Sequence, residues 1–227
     1  MKFYMEINQK ERYEKVLQWF QKNMPVVQSE LKYKNPFQLA VSVILSAQCT
    51  DKRVNMVTPA LFERFPDPWA MSGATPQEIF TYISSVTYPN SKSRHLSQMA
   101  KVLVSEFDGV LPEDTEDLQR LPGVGRKSAN VIASVIYDSP VIAVDTHVFR
   151  ISRRLGLSKG DTPLSVENEL TENIPADKRA IAHHWLILHG RYVCVARKPK
   201  CDICGLSLFC LHYHMAGRTD LHKGGTR

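Results

Sequence analysis

Four cysteines, Cys194, Cys201, Cys204 and Cys210, crowd into 17 residues with the spacing C-x6-C-x2-C-x5-C, while Cys49 stands far away. Four thiolates can close around one zinc ion or one cubic iron–sulfur cluster. Basic residues surround them. The segment 191–227 holds Arg191, Arg197, Lys198, Lys200, Arg218, Lys223 and Arg227 against Asp202 and Asp220, nearly all of a net charge of +6. A basic region beside a metal site points to a polyanion, nucleic acid above all. Arg197, Lys198 and Lys200 lie between the first two cysteines, in a loop that metal binding would hold rigid. Arg218, Lys223 and Arg227 fit a flexible, solubilising tail over 211–227.

A second group of residues could do chemistry on a sugar. The run Leu121-Pro122-Gly123-Val124-Gly125-Arg126-Lys127-Ser128-Ala129 lies between two helical segments. Glycines at 123 and 125 allow positive φ and close approach of another molecule to the backbone. Amides at the start of the next helix form an anion site favoured by the helix dipole. That is the physics of a helix-hairpin-helix, which grips a DNA phosphate without reading sequence. Lys127 sits in the first turn of an apolar helix, where dipole and desolvation both disfavour an ammonium. A free amine can attack a sugar C1′ and form a Schiff base. Asp145 follows 18 residues later, after the apolar helix and a turn at Ser139-Pro140. It suits a helix N-cap, and its carboxylate could also stabilise positive charge on a sugar ring or move a proton.

The elements that must position these residues are helical. Phe37, Val41, Ile44, Leu45 and Gln48 fall on one helical face. Thr75-Pro76-Gln77-Glu78 reads as an N-cap, a proline at N1 and a capping-box acid. An amphipathic stretch runs over 91–107 and stops at Asp108-Gly109. Asp114 or Thr115 caps a short helix to about Arg120. Residues 127–137 predict a helix buried all round, and 178–193 the last long one. VIAV (141–144) is the best strand candidate and too short for a sheet. The expected fold is all-α. The length of 227 residues allows one large or two small domains. A 43% hydrophobic content suits a sizeable core. No apolar run reaches the roughly 20 residues that span a bilayer, and MKFYMEINQK lacks the apolar region of a signal peptide. A reducing compartment is expected, with cysteines serving as ligands.

Together LSAQCTD (45–51), NSK (90–92), LPGVGRKSAN (121–130), VDTHVFR (144–150), HHWLILHGRYVC (183–194) and the cysteine spacing resemble the endonuclease III family, iron–sulfur DNA glycosylases of base excision repair. The resemblance covers roughly residues 10–210. It implies a two-domain helix-hairpin-helix glycosylase fold, with a six-helix domain at 29–139. Residues 1–28 and 140–210 would form the second domain, and the active cleft would lie between the two. It implies a [4Fe-4S] cluster on Cys194, Cys201, Cys204 and Cys210. Lys127 matches the Schiff-base lysine, Asp145 the catalytic aspartate, and Gln48 the residue that fills the gap left by a flipped nucleotide. Gly123, Val124, Gly125 and Arg126 match the DNA-gripping hairpin, and Arg191, Arg197, Lys198 and Lys200 fall on the basic side that faces DNA. The implied activity is excision of damaged pyrimidines from duplex DNA, then β-elimination at the abasic site, by a cytoplasmic, nucleoid-associated monomer. Thr87-Tyr88-Pro89 departs from the family's usual G-L-Y before N-S-K. Tyr88 could stack on the base opposite the lesion.

Two rival readings differ in kind. An adenine-specific mismatch glycosylase of the same superfamily would lack the lysine and carry a further C-terminal domain. A zinc-stabilised, non-enzymatic DNA-binding module would pair two C-x2-C knuckles, whereas only Cys201–Cys204 has that spacing. His183, His184 and His189 are read as packing or hydrogen-bonding residues, and Cys49 as a small buried hydrophobe.

Overall fold

A computed structural model describes residues 7–215. The signal-peptide reading of the first six residues and the tail positions Arg218, Lys223 and Arg227 lie outside the described residues. In chain order the α-helices are α1 (Gln9–Asn23), α2 (Pro36–Ser46), α3 (Asp51–Arg64), α4 (Pro68–Ser72), α5 (Pro76–Ile83), α6 (Pro89–Phe107), α7 (Thr115–Arg120), α8 (Arg126–Tyr137), α9 (Thr146–Leu155), α10 (Pro163–Asn173) and α11 (Arg179–Tyr192). Short 3-10 turns follow at Cys201–Ile203 and Ser207–Phe209. No strand occurs among the described residues, so the fold is all-α. The 141–144 run is not a strand.

Local chemistry starts most of these helices. Side-chain oxygens of Asn8, Asn35, Thr50, Asp67, Thr75, Asp114, Asp145 and Thr162 each accept an amide of the first turn. Thr75 and Glu78 form the full capping box. Prolines at the helix starts of α2, α4, α5, α6 and α10 sit where a missing N–H costs nothing.

The chain divides into two compact units, Ser29–Ser139 and a second that joins the segment through Gln28 to the chain from Pro140 onward. In the first unit α2 is the central helix, with every residue from Phe37 to Leu45 buried. It packs against α3, α6 and α8, while α4 and α5 pack on α6. Leu39, Leu45, Leu61, Met71, Ile79, Leu96 and Leu103 are fully buried there. Gly109 takes φ +71° directly over the Trp69 ring, where a Cβ would come within 2.2 Å. The second unit builds its core from α1, α9, α10 and α11, through Tyr13, Val16, Phe20, Ile151, Leu155, Val166, Leu170, Trp185 and Leu186. Phe20 stacks on Trp185 at 5.6 Å, and the indole N–H donates to the Met24 carbonyl at 2.7 Å. Truncating either aromatic to alanine costs about 3–5 kcal/mol.

Three sequence expectations change. Helix α2 ends at Ser46, so Gln48 stands in a turn with φ +54° rather than on the helix. Helix α8 is not buried all round: Ala129, Ile132, Ala133 and Ser134 are buried, but Val131, Val135 and Ile136 only partly. Residues 211–215, placed in the expected flexible tail, are helical.

Candidate active site

The hairpin is made by α7 and α8. Leu121 and Val124 are buried and anchor it, and the Val124 N–H donates to the Leu121 carbonyl at 2.9 Å. Both groups of Val124 are thus used inside the protein. Its side chain and N–H hold the turn. Gly123 has φ +88°, and a Cβ there would meet His95 at 2.9 Å, so only glycine fits. Gly125 does not need positive φ. It is extended (φ −91°), with open space where a Cβ would be, and it is the N-cap of α8. As a glycine it supplies no side-chain cap to the helix. Arg126 and Lys127 follow, both exposed. Exposure corrects half of the sequence argument for Lys127. The fold does not bury it.

Asp145 caps α9 in the other unit. Its Oδ1 accepts from the amides of His147 at 2.8 Å and Val148 at 2.7 Å. Both amides take the same oxygen, so capping occupies one side of the carboxylate. The cap and a chemical role therefore do not exclude one another.

Gln48 and Tyr88 are held together within the first unit. Both are exposed and both have left-handed backbones, Tyr88 with φ +54° and ψ +51°. The Thr87 hydroxyl donates to the Gln48 carbonyl at 2.9 Å. Pro89, the departure in this loop, takes the N1 position of α6.

The four cysteines converge at the end of α11 and on the turns that follow. Cys194 lies just after α11, Cys201 opens one 3-10 turn, Cys204 ends it, and Cys210 ends the next. All are free thiols. Burial raises the thiol pKa of Cys201, of Cys204 and of Cys210, the last to about 11, and the charge of Cys194 pushes each further the same way. The thiols therefore sense one another. Yet among the described residues no three His, Cys, Asp or Glu side chains gather closely enough for a single metal ion. Each cysteine of a cubic cluster binds a different iron, so its sulfurs stand farther apart than around one ion. Four thiolates are the donor set that a [4Fe-4S] cluster takes. Gly205 lies against the Trp19 indole, where a Cβ would come within 2.5 Å, and this fixes the path between Cys204 and Cys210.

Sequence reasoning missed the residues that hold this segment. Arg150 donates to the carbonyls of Gly190 (2.7 Å) and Cys194 (3.1 Å). Arg154 donates to Val195 (2.8 Å) and Ala196 (2.9 Å), and Arg12 to Phe209 (3.1 Å). A run of arginines on one helical face of α9 was the available signal. His189 is buried, held at a pKa of about 4 by that burial, and lies 3.4 Å from the Cys204 sulfur. His183 meets the Ala143 carbonyl at 2.9 Å, so these histidines pack and hydrogen-bond as read. Arg197, Lys198 and Lys200 are exposed, Arg191 half-buried, and Lys198 has φ +53°.

The sequence pattern of HhH-GPD superfamily base excision DNA repair proteins matches residues 41–176. Endonuclease III of Rickettsia conorii is 47% identical over 199 residues, covering 88% of this chain and 95% of the relative. Endonuclease III of Escherichia coli K12 is 40% identical over 195 residues, covering 86% and 92%. The chain belongs to the endonuclease III family. A solved structure of a trapped endonuclease III–DNA covalent intermediate superposes with a TM-score of 0.87 at 39% identity, covering 93% of this chain and all of that one. The protein is thus a DNA glycosylase of base excision repair, from a family of DNA glycosylase/AP lyases that carry a [4Fe-4S] cluster. Among the described residues no helix is long and apolar enough to cross a membrane.

Proposed function

We propose that this enzyme excises oxidised pyrimidines from duplex DNA and cuts the strand 3′ to the resulting abasic site, with Lys127 as nucleophile. The observation that carries the reading is an exposed lysine in the first turn of α8, a helix whose N-cap is a glycine. A relative 39% identical has been trapped covalently on DNA, so a nucleophile is required, and Lys127 supplies one at an anion-binding helix start.

The damaged nucleotide leaves the stack because its glycosidic bond is unreachable inside it. Gln48 fills the gap. The Lys127 amine, having lost its proton, attacks C1′. The C1′–N bond to the base breaks, and the base departs with its electron pair and takes up a proton. Asp145 stabilises the positive charge on the sugar and receives the lysine's proton. The sugar ring then opens: the C1′–O4′ bond breaks, O4′ takes a proton, and the iminium so formed between C1′ and Lys127 acidifies the 2′ hydrogen. Its removal expels the 3′ phosphate by β-elimination, and water then hydrolyses the Schiff base to free Lys127. Gly123, Gly125, Arg126 and Arg191 grip phosphates, and Tyr88 meets the base opposite the lesion. Cys194, Cys201, Cys204 and Cys210 hold a [4Fe-4S] cluster, whose bonds to sulfur cross-link the loop carrying Arg197, Lys198 and Lys200. Duplex DNA is the partner, met by a monomer in the cytoplasm.

The test is a panel of duplexes carrying one oxidised pyrimidine, uracil, a mismatch or an abasic site, assayed with and without alkali. Strand breaks at oxidised pyrimidines and abasic sites without alkali are expected. Breaks that need alkali contradict the lysine mechanism, and preference for the mismatch contradicts the substrate.

A further inference from the structure

Lys92 is the buried charge that the chemistry above leaves unused. Only 4% of it is exposed. It lies in the first turn of α6, where the dipole of its own helix opposes a cation. Among the described residues no carboxylate forms an ion pair with it. Its Nζ instead donates to the main-chain carbonyls of Leu45 and Ala47, both at 2.7 Å. These are the unsatisfied carbonyls at the C-terminal end of α2, where a cation is favoured. Burial also lowers the ammonium's pKa, against an opposing pull from Cys49. A buried charge without an ion partner is a poor way to hold two helices, since an apolar side chain of similar volume does that as well or better.

What Lys92 holds is specific. One residue beyond Ala47 stands Gln48, and four before Lys92 stands Tyr88. Left-handed backbone at a non-glycine costs about 1–3 kcal/mol and persists only where its surroundings impose it. Here two such residues stand in turns joined by the Thr87 hydroxyl, both exposed, Tyr88 to 61%. Tyr88 also precedes a proline, a position that favours extended backbone. Three side-chain hydrogen bonds bridge the two turns: Lys92 to Leu45, Lys92 to Ala47, and Thr87 to Gln48 at 2.9 Å. Helix α6 closes the ring, since the Lys92 N–H donates to the Tyr88 carbonyl at 3.1 Å.

We propose that Lys92, with Thr87, is a positioning device that locks Gln48 and Tyr88 into one rigid two-pronged insert for prising a nucleotide from paired DNA. This rests on Gln48 as gap-filling residue. Lys92 touches no substrate. It fixes two side chains before DNA arrives, so their ordering is not charged against the energy of unstacking.

Lys92→Met removes the ammonium and keeps the stem, and Thr87→Val removes the surface hydroxyl alone. Each is assayed in single turnover on a damaged pyrimidine in a paired duplex and on the same lesion opposite an abasic gap, where little prising is needed. The ratio of the two rates is expected to fall about tenfold or more in Lys92→Met and about threefold in Thr87→Val, with the gapped rate near wild type. A ratio unchanged in both variants, with the two rates falling together or not at all, overturns the proposal, because lost stability lowers both alike. Should Lys92→Met fail to fold, Thr87→Val decides. A second readout needs no catalysis. 2-Aminopurine opposite a stable abasic analogue should brighten on binding wild type and stay dim with either variant. Brightening without excision by wild type refutes the proposed substrate or chemistry and leaves the device standing; equal brightening by all three refutes the device.

Discussion

Arg154 donates to the Val195 carbonyl at 2.8 Å, tying α9 to the loop that displays Arg197, Lys198 and Lys200. Because the clamp takes main-chain carbonyls, the loop's cations stay exposed and usable for phosphates. Replacing Lys198 and Lys200 together with alanine should weaken binding to every duplex sequence. The slope of log affinity against log salt should shrink by up to about two. Fluorescence anisotropy across a salt series measures it, and an unchanged slope assigns these lysines to solubility alone.

Asparagine caps a helix as well as aspartate does. Asp145→Asn therefore keeps Oδ1 for the amides of His147 and Val148 and removes only the charge. DNA affinity and melting temperature should stay near wild type, while single-turnover excision falls about 10²–10⁴-fold. A variant that melts early yet excises normally would make Asp145 a cap and nothing more.

These helix starts were legible because a cap is a local bargain between neighbours. Thr75 with Glu78, and Asp145 ahead of α9, needed only a few residues of context. Thr50, Asp67 and Thr162, unread in the sequence, cap α3, α4 and α10 by the same local chemistry. The end of α2 was not legible. Apolar periodicity runs on to Gln48, but the helix stops at Ser46, where Lys92, 45 residues away from Ala47, takes its last carbonyls. The clamps of Arg12, Arg150 and Arg154 are hidden for the same reason, since each bonds a distant carbonyl. Motif spacing found the cysteines; the arginine run on α9 hinted at what holds them, but not at which distant carbonyls it reaches.

Burial holds His184 neutral, with its pKa below the usual 6.5. The unfolded chain therefore binds more protons there than the fold does once pH drops to that value. The neutral form's contribution is complete above 6.5 and is lost as pH falls toward the lowered folded value. Melting temperature should thus be higher at pH 7.5 than at pH 5. His184→Gln should shrink that difference, as thermal scans at the two pH values will read. An equal or larger difference in the variant would refute the assignment.

Cys210→Ser removes one of the four proposed ligands from a segment that Arg12 also holds, through the Phe209 carbonyl. The purified parent should show the broad visible absorption of iron–sulfide bonds, and the variant should lose most of it. Zinc analysis with a colourless parent would contradict the cluster.

The most direct measurement of the central claim is borohydride trapping on abasic-site DNA, followed by mass spectrometry of the crosslinked peptide. The adduct is expected on Lys127, and Lys127→Ala should yield none. An adduct on any other residue, or undiminished trapping in Lys127→Ala, would contradict it.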